Sequence, residues 1–213
     1  MTKNDEKYSE AWELLNNKKY FPALDLVREL LASSPNDADY KRLEIIILFE
    51  MGDFETVIKY YDEIIEADPN DYESYFKRGL AKYEMPYFES AIADFKKAIE
   101  LNNYCWQAFL FKGLAEFYLE CIDDAIDSFT VTIRYGEDDE DCLEAYKMRA
   151  FCYCKKEMHE KAIKDFTTYL ESNQTDPHIC DIYYNRGIAY GRSGNIEQAN
   201  KDLAKAAELG RKD

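Results

Sequence analysis

Apolar residues recur along this chain in pairs of stretches with i, i+3, i+4 spacing, each pair divided by a short break such as Gly52-Asp53-Phe54 or Gly194-Asn195-Ile196. That spacing gathers the apolar side chains on one face of an α-helix. At the breaks, Gly ends one helix and Asp or Asn is placed to cap the next. Between pairs, Ser34-Pro35-Asn36-Asp37 and Asp68-Pro69-Asn70-Asp71 combine a residue that cannot continue a helix with residues that start one. Pro22 and Pro86 also fall at or beside breaks. The predicted unit is a two-helix hairpin. Five prolines and eight glycines in 213 residues leave too few turns for an all-β domain.

The hairpins obey a fixed interval. Gly79-Leu80-Ala81 recurs 34 residues later as Gly113-Leu114-Ala115, and Ala91 with Phe95 recurs as Ala125 with Phe129. Ala150 and Gly187 then take the glycine place, Ala162 and Ala199 the alanine place, and Phe166 and Leu203 the phenylalanine place. These last two steps are 37 residues, which puts three extra residues in each of two loops. Counted backwards, the same places hold Ile45 and Ala11, Val57 and Ala23, Tyr61 and Val27. Six units result, at 4–37, 38–71, 72–105, 106–142, 143–179 and 180–213.

Within a unit the pattern is an aromatic at the fourth place, small residues at the eighth, twentieth and twenty-seventh, and an aromatic at the twenty-fourth. Tyr75, Gly79, Ala91, Phe95 and Ala98 carry it in full. Phe109, Gly113, Ala125 and Phe129 carry it with Thr132 last; Tyr183, Gly187, Ala199 and Ala206 carry it with Leu203 for the second aromatic. On these residues the chain resembles the tetratricopeptide repeat family over nearly its whole length. The resemblance implies an all-α fold, a right-handed α-solenoid of six helix-turn-helix hairpins forming a single domain over 4–213. Small residues let the two helices of a hairpin approach, and the second aromatic fills the space towards the next hairpin. The first two units depart, with Lys7 and Lys41 at the first aromatic place and Ile45 and Val57 at small places.

The ends differ from the middle. The aliphatic after the spacer alanine (Leu24, Ile58, Ile92, Ile126, Ile163) gives way to Asn200, and Ala207 stands where Leu170 and its equivalents stand. At the tenth place the first unit has Glu13 where later units have Ile47, Ala81, Ala115, Cys152 and Ala189. Both features predict a solenoid closed at its two ends.

In the family, the first helices of successive hairpins line a concave surface. Their fifth, ninth and twelfth places here include Tyr8, Trp12, Phe49, Phe76, Tyr83, Phe117, Phe151 and Tyr184, with Phe111 at the sixth. Such rings serve equally to pack neighbouring first helices together; where several are exposed at once they mark a partner surface. The second place is acidic at Asp39, Glu73, Glu144 and Asp181, as it is at Asp5. The helix dipole favours carboxylates there in any case, and in register they also form an acidic groove edge for a basic segment. Many family members clamp a chaperone's C-terminal carboxylate with Lys or Arg at the fifth place, Asn at the ninth and Asn at the sixth of the next hairpin. Here Ile46 follows Arg42, Phe151 follows Lys147, and no third hairpin follows Asn185, so the clamp is absent.

Charge and chemistry narrow the function. Twenty-seven basic against 43 acidic residues give a net charge of −16, which repels nucleic-acid backbones and anionic membrane surfaces and favours a basic polypeptide partner. The run Ile45–Phe49 is far short of the ~20 apolar residues needed to span a bilayer, and the N-terminus lacks a signal core, so a cytoplasmic protein is expected. The six cysteines are spread out and are expected to be reduced. Cys152 and Cys154 point roughly 200° apart on a helix and cannot share a metal, and His159, His178 and Cys180 have no partner at a ligand spacing. The acidic run Glu137–Asp141 reads as a solvated loop. No nucleophile motif or phosphate loop is present. The expectation is a non-enzymatic adaptor, without cofactor or metal, that binds another protein or peptide in its groove. The alternative is a structural subunit that self-associates or is buried in a larger complex.

Overall fold

The structure, a computed structural model, describes residues 2–136, 140–173 and 176–210. Among them the chain forms twelve α-helices and no strand. It divides into two compact units, Met1–Tyr87 and Phe88–Asp213. The first holds α1 (Lys3–Asn16), α2 (Tyr20–Ser33), α3 (Ala38–Glu50), α4 (Phe54–Ala67) and α5 (Tyr72–Glu84). The second holds α6 (Phe88–Leu101), α7 (Trp106–Tyr118), α8 (Ile122–Tyr135), α9 (Glu140–Lys155), α10 (His159–Ser172), α11 (Ile179–Arg192) and α12 (Ile196–Leu209). Within each unit every helix packs on the next. Each of the six sequence units corresponds to one helix pair, and the division between compact units falls within the third.

Local chemistry sets the helix ends. Asp37 accepts from the Asp39 and Tyr40 amides, Asp53 from Thr56, Asp71 from Glu73 and Asn195 from Gln198. Gly52 and Gly194 take φ values of +81° and +89° at the hairpin turn. The same turn is made at Lys18, Glu120 and Glu157 with φ of 57–59°, a conformation that costs a residue with a side chain about 1 kcal/mol. The extra residues of the fourth unit partly extend a helix: α9 starts at Glu140 and runs for 16 residues, against 13 in α7.

Phe95, Phe129 and Phe166, at the twenty-fourth place, are fully buried. Each ring works in two directions. A Cβ built on Gly113 would stand 2.8 Å from the Phe129 ring, so the ring rests on its own hairpin's spacer. On the other side Phe95 lies 6.2 Å from Phe111 of the next hairpin, and Phe166 clusters with Ile182. Burying each such ring contributes about 2–3 kcal/mol.

A polar ladder runs through the second unit. The Arg149 guanidinium donates to both Asp165 oxygens at 2.7 and 2.9 Å, and to the Thr130 hydroxyl of the preceding hairpin at 3.0 Å. Arg186 repeats this with Asp202 and Thr167 at the same distances. Both threonine hydroxyls donate to a carbonyl in their own helix, leaving a lone pair for the arginine. Tyr146 and Tyr153 stand 5.6 and 5.7 Å from the Arg149 guanidinium. Burial disfavours the charged arginine, but the Asp165 carboxylate outweighs it and holds the pKa of Arg149 above its ordinary value. In the fourth sequence unit the ladder is rebuilt: Lys112 bonds Glu116 on its own helix and the Ser128 hydroxyl, each at 2.7 Å, and Ser128 donates to Glu116 at 2.6 Å.

Three variants test this packing. Gly113→Ala gains helix propensity but drives a methyl into a ring that is fully buried, and is expected to lose about 1–3 kcal/mol in urea unfolding. In Gly187→Ala the new Cβ meets half-buried Leu203 at 3.1 Å and the Cβ of Asp202, held by Arg186, at 3.2 Å, and the variant is expected to lose less than Gly113→Ala, about 1 kcal/mol. Asp165→Ala leaves Arg149 charged and unpaired, with an expected loss of about 3–5 kcal/mol, most of which Arg149→Met combined with Asp165→Leu restores.

Candidate functional site

The first unit contains a cleft that begins with two oversized spacers. Ile45 and Val57 stand at places where Gly or Ala is usual, and both are buried. They hold α3 off α4, which pack more sparsely than α1 and α2. A cavity of about 300 Å³ opens between α3, α4 and α5. Ile46, Phe49 and Leu80 form its apolar floor, with Ile45 and Val57 behind. Phe49 is braced edge-on against Phe54 at 5.2 Å.

Its polar rim has two signs. Arg42 from α3 and Lys77 from α5 face the cavity, as do Glu50 and Glu73. Tyr61 from α4 joins them; burial, helped by Tyr60 and Glu73, pushes its pKa up to about 12, so it stays a neutral hydroxyl at physiological pH. Among the described residues no carboxylate lies within ion-pair distance of Arg42 or Lys77. Lys147, at the place of Arg42 but on α9, differs, because it pairs with Glu144 at 2.5 Å.

The sequence-predicted residues are distributed as follows. In the first unit Tyr8, Trp12, Phe49, Phe76 and Tyr83 are half-buried. Tyr8 meets Trp12 at 6.4 Å and Tyr40 at 5.4 Å, so its ring braces α1 on α3. Asp39 and Glu73 are exposed in the first turns of α3 and α5, and Glu73 joins Phe49 at the cleft. In the second unit Phe111, Phe117 and Phe151 are half-buried. Phe151 stands edge-on to Phe166 at 5.2 Å and Lys155 lies over Phe117 at 5.0 Å. Tyr184 is 54% exposed on α11, Asp181 is exposed beside it, and Glu144 is half-buried. A smaller cleft of about 130 Å³ is lined by Cys154, Asn185, Ile188 and Arg192 among others.

Sequence reasoning missed Lys77 and Tyr61 as rim residues; it placed Arg42 at a groove place but gave it no role beyond an incomplete clamp. Two cations at adjacent groove places of successive first helices were the available signal. It also passed over Tyr118, which stacks on Phe88 at 5.0 Å and 8° while 58% exposed. Burial pushes the Cys152 thiol up to about 12 and raises that of Cys154, which keeps both protonated at physiological pH. Among the described residues no group of three His, Cys, Asp or Glu is placed to hold a metal, and no helix is long and apolar enough to cross a membrane. The acidic run Glu137–Asp141 lies outside the described residues, except for the backbone of Glu140 and Asp141.

Three segments of the chain, 47–71, 72–105 and 181–213, match the family profile described as tetratricopeptide repeat. Solved structures agree. MamA is 27% identical, with 78% of this chain and 93% of that chain covered at a TM-score of 0.68. YrrB, described as a TPR protein with an unusual peptide-binding site, is 22% identical over 86% of this chain and 91% of its own, at 0.70. A tetratricopeptide repeat protein from Parabacteroides merdae is 14% identical over 97% of this chain and 79% of its own, at 0.69. No curated protein matches the sequence significantly. The three matched segments are tetratricopeptide repeats, the all-helical fold is shared with these solved tetratricopeptide repeat proteins, and both support a protein–protein interaction scaffold.

Proposed function

We propose that this chain is a non-enzymatic adaptor that holds a peptide segment of another protein in the groove formed by its first helices. The observation that carries this reading is the cavity of about 300 Å³ between α3, α4 and α5, which is roomy enough to admit a large side chain over Ile46, Phe49 and Leu80. Phe76 and Tyr83 on α5 extend the apolar surface in the first unit. In the second unit Phe111, Phe117, Phe151 and Tyr184 stand at the same kind of places and offer a separate set of ring contacts. The exposed carboxylates of Asp39 and Glu73 favour basic residues in the parts of the segment that pass over that edge. The fold shared with YrrB, whose description names a peptide-binding site, supports the same reading.

Affinity capture from an extract of the native host, comparing the wild-type chain with Phe49→Ala combined with Leu80→Ala, tests it. Specific partners are expected to fall at least about tenfold in the variant, a loss near 1.4 kcal/mol, while circular dichroism shows unchanged helicity. Full retention of every partner overturns the groove.

A further inference from the structure

The cleft of the first unit is banded along the helix axis. The exposed carboxylates of Glu73, at the cleft, and Asp39, outside its lining, occupy the second place of α5 and α3, the cations Arg42 and Lys77 the fifth and sixth, and the apolar Ile46 and Leu80 the ninth, with Phe49 at the twelfth and Glu50 beyond it at the thirteenth. At about 1.5 Å rise per residue the acidic band precedes the basic band by about 4.5–6 Å, and the basic band precedes the apolar floor by a similar distance. Alternate side chains of an extended peptide are about 6.6–6.8 Å apart on one face. Each peptide step is about 1–2 Å longer than the step between bands, a difference that the long side chains of Arg42 and Lys77 take up.

Resting on the groove reading above, we propose that this cleft selects an extended segment presenting, on one face and in this order, a basic, an acidic and a bulky apolar side chain. The apolar group fills the floor. The carboxylate sits between Arg42 and Lys77, which have no ion-pair partner of their own among the described residues. The cation faces Asp39 and Glu73. The neutral Tyr61 hydroxyl offers the incoming carboxylate a further donor. The preference is therefore for a charge pattern rather than for net basicity: a purely basic segment would set its central cation against Arg42 and Lys77, where like charges repel. The equivalent bands on α9 do not act this way, because Lys147 is neutralised by Glu144 at 2.5 Å.

The test uses the full chain and capped synthetic peptides in an amide NMR titration. Lys-Ser-Asp-Ser-Phe and its reverse, Phe-Ser-Asp-Ser-Lys, cover both chain directions; Asp-Ser-Lys-Ser-Phe swaps the charges. One of the first two is expected to bind at least about tenfold more tightly than the swapped peptide, with shifts centred on Phe49 and Leu80. Arg42→Glu with Lys77→Glu, both on the cleft rim, is expected to reverse the ranking. Equal binding of all three peptides, a wild-type preference for the swapped one, or no binding by any of them overturns the proposal. The capture experiment on the Phe49 and Leu80 variant remains independent, so loss of charge order and loss of the groove itself are told apart.

Discussion

Every hairpin depends on how closely its two helices approach, and that distance is set by a few side chains. Where Gly113 meets the Phe129 ring there is no room for a methyl group. The ring in turn reaches the following hairpin, so one contact fixes both the pairing within a hairpin and the stacking of the next. Polar groups then add direction. Apolar faces slide at little cost, whereas a guanidinium bidentate to Asp165 and bonded to Thr130 has one arrangement.

The cleft of the first unit follows from relaxing that rule in one place. Ile45 and Val57 are too large to let α3 and α4 close, and the space they leave is the cleft. The same departure that weakens the repeat pattern thus creates the feature best suited to hold a side chain. In the second unit, where Gly113 and Ala125 keep α7 against α8, an aromatic of the first helices instead braces the core, as Phe151 does on Phe166.

Much of the fold was legible because it is written in local spacing. Asp37, Asp53, Asp71 and Asn195 cap the helices whose starts they mark, and Gly52 and Gly194 turn where the breaks fall. The start of α9 at Glu140 was not legible, since an insertion counted from the repeat reads as loop, while Cys142 is buried close to Thr132 and draws the extra residues into the helix. The ladder escaped notice because an arginine at one place and an aspartate sixteen residues later look like ordinary surface charge until the aspartate is found buried against a half-buried arginine. The site was legible as a stripe of places but not as a cavity. A volume depends on how two oversized residues displace a helix, and periodicity records position without size.

The arginine ladder also assigns each module its neighbour. Arg149 and Arg186 each need a hydroxyl at the twenty-fifth place of the hairpin before, and find Thr130 and Thr167. The corresponding place ahead of Lys112 is Lys96, which would repel such a cation, and Lys112 is satisfied within its own hairpin by Glu116 and Ser128. The modules are consequently not interchangeable. Moving 143–179 to follow 72–105 would oppose Arg149 to Lys96, while 180–213 could follow 106–142 without conflict, so the permitted orders of the array are encoded by a handful of polar residues rather than by its hydrophobic period.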